Sequence, residues 1–509
     1  MRVTPSPNLW RGVSSRRDTA FPTRELRDDP IRRAPATVHL GVRMTSVSAD
    51  QYDLIVIGGG MSGLPLSQKA ALKGWNTALV EKELLGGTCL NRGCIPTKTM
   101  IHSAKIMHHI RRAAEFGIVV GEPKADLKAI VRRKDEVVKP IRDGAYRGVR
   151  KIGRLRLVEG EARFEGPGRL VVGKQILESP KIVVNTGTEA TIPAIGGLAD
   201  VEYLTNRSAL DLTELPESLI IVGGGYVGVE FAQMYARFGS KVTVLQRAEA
   251  LVPNEEPEVS AVLMDVFRRE GIEVVINALV VGVKRSDRTV VVSAQVGAEL
   301  KAFQSTRLML AAGRTPNTAS LNLEAVGVET DRAGFIKIDN RLQTSAEGIW
   351  AMGDITGPPM FTHSARDDAE ILYRALVKGD PNATLDHRLV PHAVFTDPAI
   401  GSVGLTEAQA RKLGYTLKIG MRPFRAVAKA RAIGETDGFI KIIADDKTDK
   451  ILGAHIIGPE GDNLVHELIV AMQVGASFHD VARAMHIHPT LAEGVNVAAG
   501  GVHREEGAD

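Results

Sequence analysis

Cysteine is almost absent: the 509 residues contain two, Cys89 and Cys94. That shortage excludes a disulfide-stapled scaffold and a four-cysteine zinc site. It also points to a compartment that keeps thiols reduced, the cytoplasm being the expectation, since a secreted chain this long usually carries more. Long apolar runs are missing as well, and no stretch approaches the ~18 uninterrupted apolar residues of a membrane helix. Net charge is only +4 and no basic block carries interleaved aromatics, so neither nucleic acid nor a membrane is expected as a partner. What is there is the balance of an ordinary globular protein, 44% hydrophobic and 24% charged. The length suits about three domains at ~150 residues each.

Residues 1–50 stand apart. They hold nine arginines, no lysine, five acidic residues and scattered prolines. Without a sustained apolar period this composition cannot bury a core, and a disordered extension is expected. Met44 offers a natural start just ahead of the first strand. An Arg-rich, Ser-containing leader would also suit an organelle transit peptide, but the acidic residues count against one.

Both cysteines lie in Gly86-Gly87-Thr88-Cys89-Leu90-Asn91-Arg92-Gly93-Cys94-Ile95-Pro96-Thr97-Lys98. Two thiols kept in one short window read as a redox pair, with inert burial as the alternative. In an ideal helix, residues five apart have Cα atoms roughly 8.6 Å apart. A disulfide needs less than about 7 Å. If the two bond, the helix is distorted between them, and Gly93 and Pro96 are residues that permit it.

The second signal is a repeat. Asp53–Ile57 is a β-branched apolar run that leads into Gly58-Gly59-Gly60-Met61-Ser62-Gly63 and then a helix over 64–73. Glu81 closes the next strand, 76–80. A strand, G-x-G-x-x-G, a helix and an acid form a dinucleotide-binding unit: glycines admit the pyrophosphate, the helix N-terminus stabilises it, and the acid accepts from a ribose hydroxyl. The same unit recurs at Leu219–Val222, Gly223-Gly224-Gly225-Tyr226-Val227-Gly228, a helix over 229–238 and the strand Lys241–Leu245. Gly58 precedes Glu81 by 23 residues, and Gly223 precedes Gln246 by the same 23. Two such units in one chain imply two bound nucleotides, glycine-rich turns without ligand being the alternative. Glu81 repels a 2′-phosphate and suits FAD, whereas neutral Gln246 followed by Arg247 tilts the second site towards NADPH.

Long helices are expected over 100–116 and 127–149, and short β pieces over 155–185. Strands at 308–317 and 348–354 follow, then a hairpin of Gly438–Ile443 with Ile451–Ile457 and helices at 464–474 and 478–484. Near the C-terminus, His486-Ile487-His488-Pro489-Thr490-Leu491-Ala492-Glu493 sets a histidine five residues before a glutamate. That is a base and a carboxylate that can hold its tautomer, though such pairs are also common on surfaces.

GGTCLNRGCIPTK resembles the active-site motif of the pyridine nucleotide-disulfide oxidoreductases, flavoenzymes that include dihydrolipoamide dehydrogenase, glutathione reductase and mercuric reductase. The resemblance runs from about residue 51 to about residue 500. It implies an α/β fold of two Rossmann-like dinucleotide-binding domains plus an α+β dimerisation domain. Residues 51–193 and 318–390 would bind FAD, 194–317 NAD(P), and 391–503 would form the interface of a homodimer.

Carried onto this sequence, the resemblance implies FAD contacts at Gly58, Gly60, Ser62, Gly63, Glu81 and Lys82. Gly87, Thr88, Ala162, Thr186 and Gly187 would join them, with Asp354 at the ribityl chain and Thr362 nearby. Gly223, Gly225, Gly228, Gln246 and Arg247 would serve the nicotinamide nucleotide, with Gly313 and Arg314 closing that domain and Tyr226 at a gate position over the nicotinamide. Lys98 would place a positive charge near the flavin, partnered by Glu230. Cys94 would face the flavin while Cys89 attacks a disulfide substrate, with His488 of the other subunit as acid/base, oriented by Glu493. His486 is expected to be structural.

The implied activity is an FAD-dependent NAD(P)H:disulfide oxidoreductase of the dihydrolipoamide dehydrogenase kind. A mercuric reductase-like flavoprotein is an alternative, since LNRGCIPTKT and the turn Gly225–Ala232 resemble that group, although efficient mercuric reduction needs a further cysteine pair, which this chain lacks. Glutathione reduction remains open, as does a quinone or dye reductase that uses only flavin and NAD(P)H. A non-catalytic flavin-bound sensor is the reading from another class.

Overall fold

Leu54–Ile57 is buried at every residue, as a strand covered on both faces must be. In the computed structural model, which describes residues 49–386 and 388–504, this strand is the centre of a five-stranded parallel sheet. Its order is Ile349–Ala351, Ile182–Val184, Leu54–Ile57, Thr77–Glu81, Leu155–Glu159. The outermost strand arrives from about 165 residues further along the chain, so the polypeptide leaves this unit and returns to it. The 1–50 extension lies almost wholly outside the described residues.

A second parallel sheet runs Glu273–Val275, Lys241–Leu245, Ser218–Val222, Arg307–Leu310. The third layer is antiparallel throughout: His392–Val394, Ala399–Gly404, Ile451–Gly458, Phe439–Asp445, Leu417–Pro423, His503–Arg504. The expected hairpin is its central pair. The chain is thus α/β, with two Rossmann-like units and an α+β unit, as expected. Among the described residues no helix is long and apolar enough to cross a membrane.

Some boundaries differ from expectation, for local reasons. The helix expected from Met100 begins at Cys94, because the break at Gly93 has no capping side chain to announce it. It ends at Arg111, and Ala113–Phe116 tightens into a 3-10 turn. The strand expected over 308–317 stops at Leu310. Arg314–Pro316 instead pairs antiparallel with Thr188–Ala190, joining the two Rossmann-like units.

The antiparallel sheet is fastened to the second parallel unit by buried charge. The Lys441 ammonium donates to Glu256 at 2.7 Å and to Glu258 and Glu407 at 2.9 Å each. Those three carboxylates have the spacing of a cation site, and the lysine fills it. Its own acidity is suppressed by these bonds against the opposing effect of burial. Removing one partner of a buried ion cluster strands the rest. Lys441→Met is expected to cost at least ~3 kcal/mol, read as a fall in the urea midpoint of unfolding.

Candidate active site

Each glycine turn is built by close approach of backbone to backbone. Gly58 has φ +105°, and a Cβ there would lie 2.2 Å from the Asn185 carbonyl oxygen. A Cβ on Gly63 would lie 1.9 Å from the Gly58 oxygen, and one on Gly228 the same distance from the Gly223 oxygen. The middle glycines differ. A Cβ on Gly225 would meet nothing within 4 Å, and one on Gly60 only the Asn185 amide at 3.5 Å. Each turn is therefore closed on its protein side and open where a pyrophosphate would lie, so the residues present fit two bound dinucleotides.

The residues ending the second strands do equivalent work. Glu81 Oε2 accepts from the Gly59 N–H at 2.7 Å, and Gln246 Oε1 from the Gly224 N–H at 3.0 Å. Gln246 also donates to the Ala250 carbonyl at 3.0 Å, while Arg247 is exposed beside it. Ser62 turns its hydroxyl inward to Asn185 at 2.6 Å, leaving its main chain to the cradle. Asn185 donates in turn to the Gly58 carbonyl at 3.1 Å, so this asparagine braces the first turn. Its only sequence signal was a polar residue ending an apolar strand.

The thiol window sits on the first cradle: a Cβ on Gly87 would come 2.9 Å from the Gly60 Cα. Gly86, at φ +96°, lets the chain turn into a short helix, Gly87–Arg92, which carries Thr88 on an exposed face. Gly93 (φ −139°, ψ −111°) breaks it, and Cys94 opens the next helix, Cys94–Arg111. The distortion that a disulfide demands is therefore present, with the two cysteines standing as free thiols.

The pair is polarised. The Cys89 thiol donates to Cys94 and lowers the latter's pKa to about 6, against the opposing effect of burial and with help from Thr362 and Lys98. Cys89 is pushed up, because its proton is held in that bond and burial adds to the effect. Thr362 Oγ1 lies 3.4 Å from the Cys94 sulfur. The helix N-terminus adds its positive end. Four residues on, the Lys98 ammonium is held by both Glu230 oxygens, at 2.9 and 2.8 Å, and lies 4.4 Å over the Phe395 ring. Glu230 also accepts from the Phe395 N–H at 3.0 Å, so the lysine is pinned from the second nucleotide unit and the antiparallel sheet together.

Asp354 follows the returning strand, and its carboxylate accepts from the Thr188 hydroxyl at 3.2 Å. Burial raises its pKa, with Arg314 opposing. Arg314 donates to the Thr188 hydroxyl and carbonyl, each at 2.6 Å, and so lies at the junction of the two units beside Gly313. Thr186 and Asn317 exchange two bonds of 2.9 Å across the same junction, next to Gly187 at φ +65°. Ala162 is packed in the core, so only its main chain is available to a ligand. Lys82 is at the surface, paired with Glu161 at 3.1 Å.

His488 lies apart from the cysteines within the chain's own bonding. Its Nδ1 meets the Glu493 carboxylate at 3.0 and 3.1 Å, and the carboxylate also accepts from the Thr490 N–H. That fixes the tautomer with Nε2 free, on a side chain 72% exposed. Met485 and Ile487 beside it are 99% and 78% exposed, an apolar surface around the imidazole. Both nitrogens of His486 are taken, by the Ala484 carbonyl at 2.8 Å and Glu467 at 2.9 Å.

Two dinucleotide cradles, the first against a polarised thiol pair and the second joined to its helix through Glu230 and Lys98, are the equipment of a two-nucleotide thiol oxidoreductase. Residues 52–369 match the family model described as pyridine nucleotide-disulphide oxidoreductase, and residues 390–499 match that family's dimerisation domain. The chain belongs to the pyridine nucleotide-disulphide oxidoreductase family. It is similar to dihydrolipoyl dehydrogenase 1, mitochondrial, of Arabidopsis thaliana, at 34% identity covering 95% of this chain and 97% of that one. The dihydrolipoyl dehydrogenase of Thermus scotoductus is 36% identical over 89% of this chain and 98% of its own. Among solved structures, the copper(II) complex of RclA, an HOCl-induced flavoprotein disulfide reductase from Escherichia coli, superposes with a TM-score of 0.81. It is 32% identical, over 89% of this chain and 99% of that one. The protein is an FAD- and NAD(P)H-dependent oxidoreductase acting on sulfur groups, and its dimerisation domain supports a homodimer.

Proposed function

We propose that the chain carries electrons from NAD(P)H to a small-molecule or lipoyl disulfide through Cys89 and Cys94, in the manner of dihydrolipoamide dehydrogenase. The observation that carries this reading is the placing of the pair: Cys94 opens its helix after the break at Gly93 with Thr362 Oγ1 3.4 Å from its sulfur, an arrangement that, with the bond from Cys89, favours a Cys94 thiolate. We assign residues 51–193 and 318–390 to FAD, 194–317 to NAD(P) and 391–503 to the dimer interface. A thiol pair kept for exchange suits a reducing compartment such as the cytoplasm.

Gly58, Gly60, Gly63, Glu81 and Asp354 would hold FAD, and Gly223, Gly225, Gly228 and Gln246 the nicotinamide nucleotide. Bound flavin supplies the two-electron relay between nicotinamide and sulfur. The chain's own residues handle protons and sulfur. In the reduced pair, the partner's His488 takes the Cys89 proton as Cys89 attacks one sulfur of RS–SR. The S–S bond breaks, a Cys89–S–SR mixed disulfide forms, and the departing RS⁻ receives that proton as RSH. The Cys94 thiolate then attacks Cys89 sulfur, closing the protein disulfide and releasing the second thiolate, which solvent protonates. Lys98 and Thr362 hold Cys94 anionic for that step.

The test is a turnover panel with purified holoenzyme, pairing NADH and NADPH against lipoamide, glutathione disulfide, mercuric ion and a quinone. Disulfide-dependent nucleotide oxidation supports the reading, and turnover with quinone alone overturns it.

Nucleotide choice turns on Arg247, the exposed cation beside neutral Gln246. A 2′-phosphate within its reach gains a charge-assisted bond. Arg247→Ala is expected to raise the KM for NADPH by about tenfold and leave that for NADH within twofold, measured in the same assay.

A further inference from the structure

Tyr226 opens the helix Tyr226–Phe238, directly after the open glycine Gly225. Its hydroxyl is taken up by the protein. It donates to Glu255 Oε1 at 2.6 Å, and the same oxygen meets His392 Nε2 at 2.6 Å. The other oxygen of Glu255 accepts from the Ser402 hydroxyl at 2.7 Å. The Glu255 side chain is fully buried, yet its carboxyl is held below the ordinary range; burial pushes upwards, and the bonds from His392, Tyr226 and Ser402 outweigh it. A buried carboxylate with three donors is a fixed anchor and not a solvated surface charge.

The donors come from different units. Tyr226 and Glu255 belong to the second nucleotide unit. His392 and Ser402 are a cross-strand pair of the antiparallel sheet, opposite one another where His392–Val394 pairs with Ala399–Gly404. The rings stack as well: Tyr226 and His392 lie 5.6 Å apart, and the Phe361 ring is parallel to that of His392 at 5.5 Å. Phe361 precedes Thr362, whose hydroxyl touches Cys94. The network thus links the mouth of the second cradle, the dimerisation domain and the neighbour of the thiolate.

We propose that Glu255 and His392 are positioning residues for the nicotinamide site, tying the Tyr226 phenol to the dimerisation domain so that its ring forms a fixed wall of the pocket. The proposal rests on assigning the Tyr226 helix to NAD(P). A tied ring spends no free energy on ordering when the nucleotide binds. Freed from Glu255, it must be ordered at each binding event, and affinity falls.

The test is the dissociation constant of oxidised holoenzyme for NAD⁺ or NADP⁺, whichever the parent binds more tightly, measured calorimetrically with no disulfide present. Glu255→Gln keeps the shape but weakens the bond from the phenol, and Tyr226→Phe deletes one oxygen. Each is expected to raise Kd by about tenfold. The double variant should be no weaker than Tyr226→Phe alone, because that change already removes the whole of the tie that Glu255→Gln weakens. A Kd that does not change, a Kd that falls, or single effects that multiply in the double variant would each overturn the assignment. If Glu255→Gln does not fold, Tyr226→Phe and His392→Asn give the same cycle. No disulfide enters the measurement, so failure of the proposed substrate class and failure of the tie are read separately.

Discussion

Cys94→Ser is expected to abolish disulfide turnover, by on the order of 10³-fold or more, while quinone reduction by NAD(P)H persists. Cys94 is the thiolate that closes the cycle, and a serine hydroxyl in its place is neither ionised nor able to form an S–S bond. The flavin and nucleotide cradles do not depend on that sulfur: Gly58, Gly63, Gly223 and Gly228 are shaped by backbone contacts. The variant should therefore still bind flavin and oxidise nucleotide when an acceptor needs no sulfur. A second readout has a definite sign. The folded pKa of Cys94 is depressed to about 6, so the thiolate persists above that value and is lost as pH falls through it. Lipoamide or glutathione turnover by the parent should decline below about pH 6, whereas quinone turnover should not follow that titration. If Cys94→Ser retained disulfide turnover, the thiol pair would have no part in the reaction.

Much of this was legible in the chain because it is local. The interval from Gly58 to Glu81 recurs from Gly223 to Gln246, and in the fold both end residues accept from the N–H of their turn's second glycine. The strand Lys241–Leu245 and the hairpin around 444–450 likewise follow from β-branched runs and a polar turn. A helix break between the cysteines follows from their spacing only on the condition that the two bond, and Gly93, which permits it, is where the break falls. What stayed hidden is non-local. Asn185 reaches back 127 residues to the Gly58 carbonyl, Glu255 reaches forward 147 to Ser402, and Lys441 gathers acids from as far as 185 residues away. Each is a polar residue whose partner exists only once strands or layers far apart in the chain are brought together. The Lys98–Glu230 pair is equally distant, at 132 residues. It was anticipated through the family resemblance and not through any spacing in the sequence.

His488→Ala is expected to lower disulfide turnover by about 10²–10⁴-fold, the range for removing a positioned acid/base. The sharper result comes from mixing. Within one chain His488 is an exposed imidazole on the dimerisation domain, bonded to Glu493 with Nε2 outward and apolar Met485 and Ile487 around it. A histidine so placed suits the proposed site, in which one subunit's imidazole completes the other's thiol pair. Denatured together and reassembled at equal ratio, Cys94→Ser and His488→Ala chains form half mixed dimers, each with one site that combines a whole thiol pair with a whole imidazole. The mixture should recover roughly a quarter of the parent's disulfide turnover from two chains that are separately inactive. If cysteine and histidine belonged to the same subunit's site, mixing would restore nothing, and the recovered fraction therefore reports directly whether each site is shared between two chains.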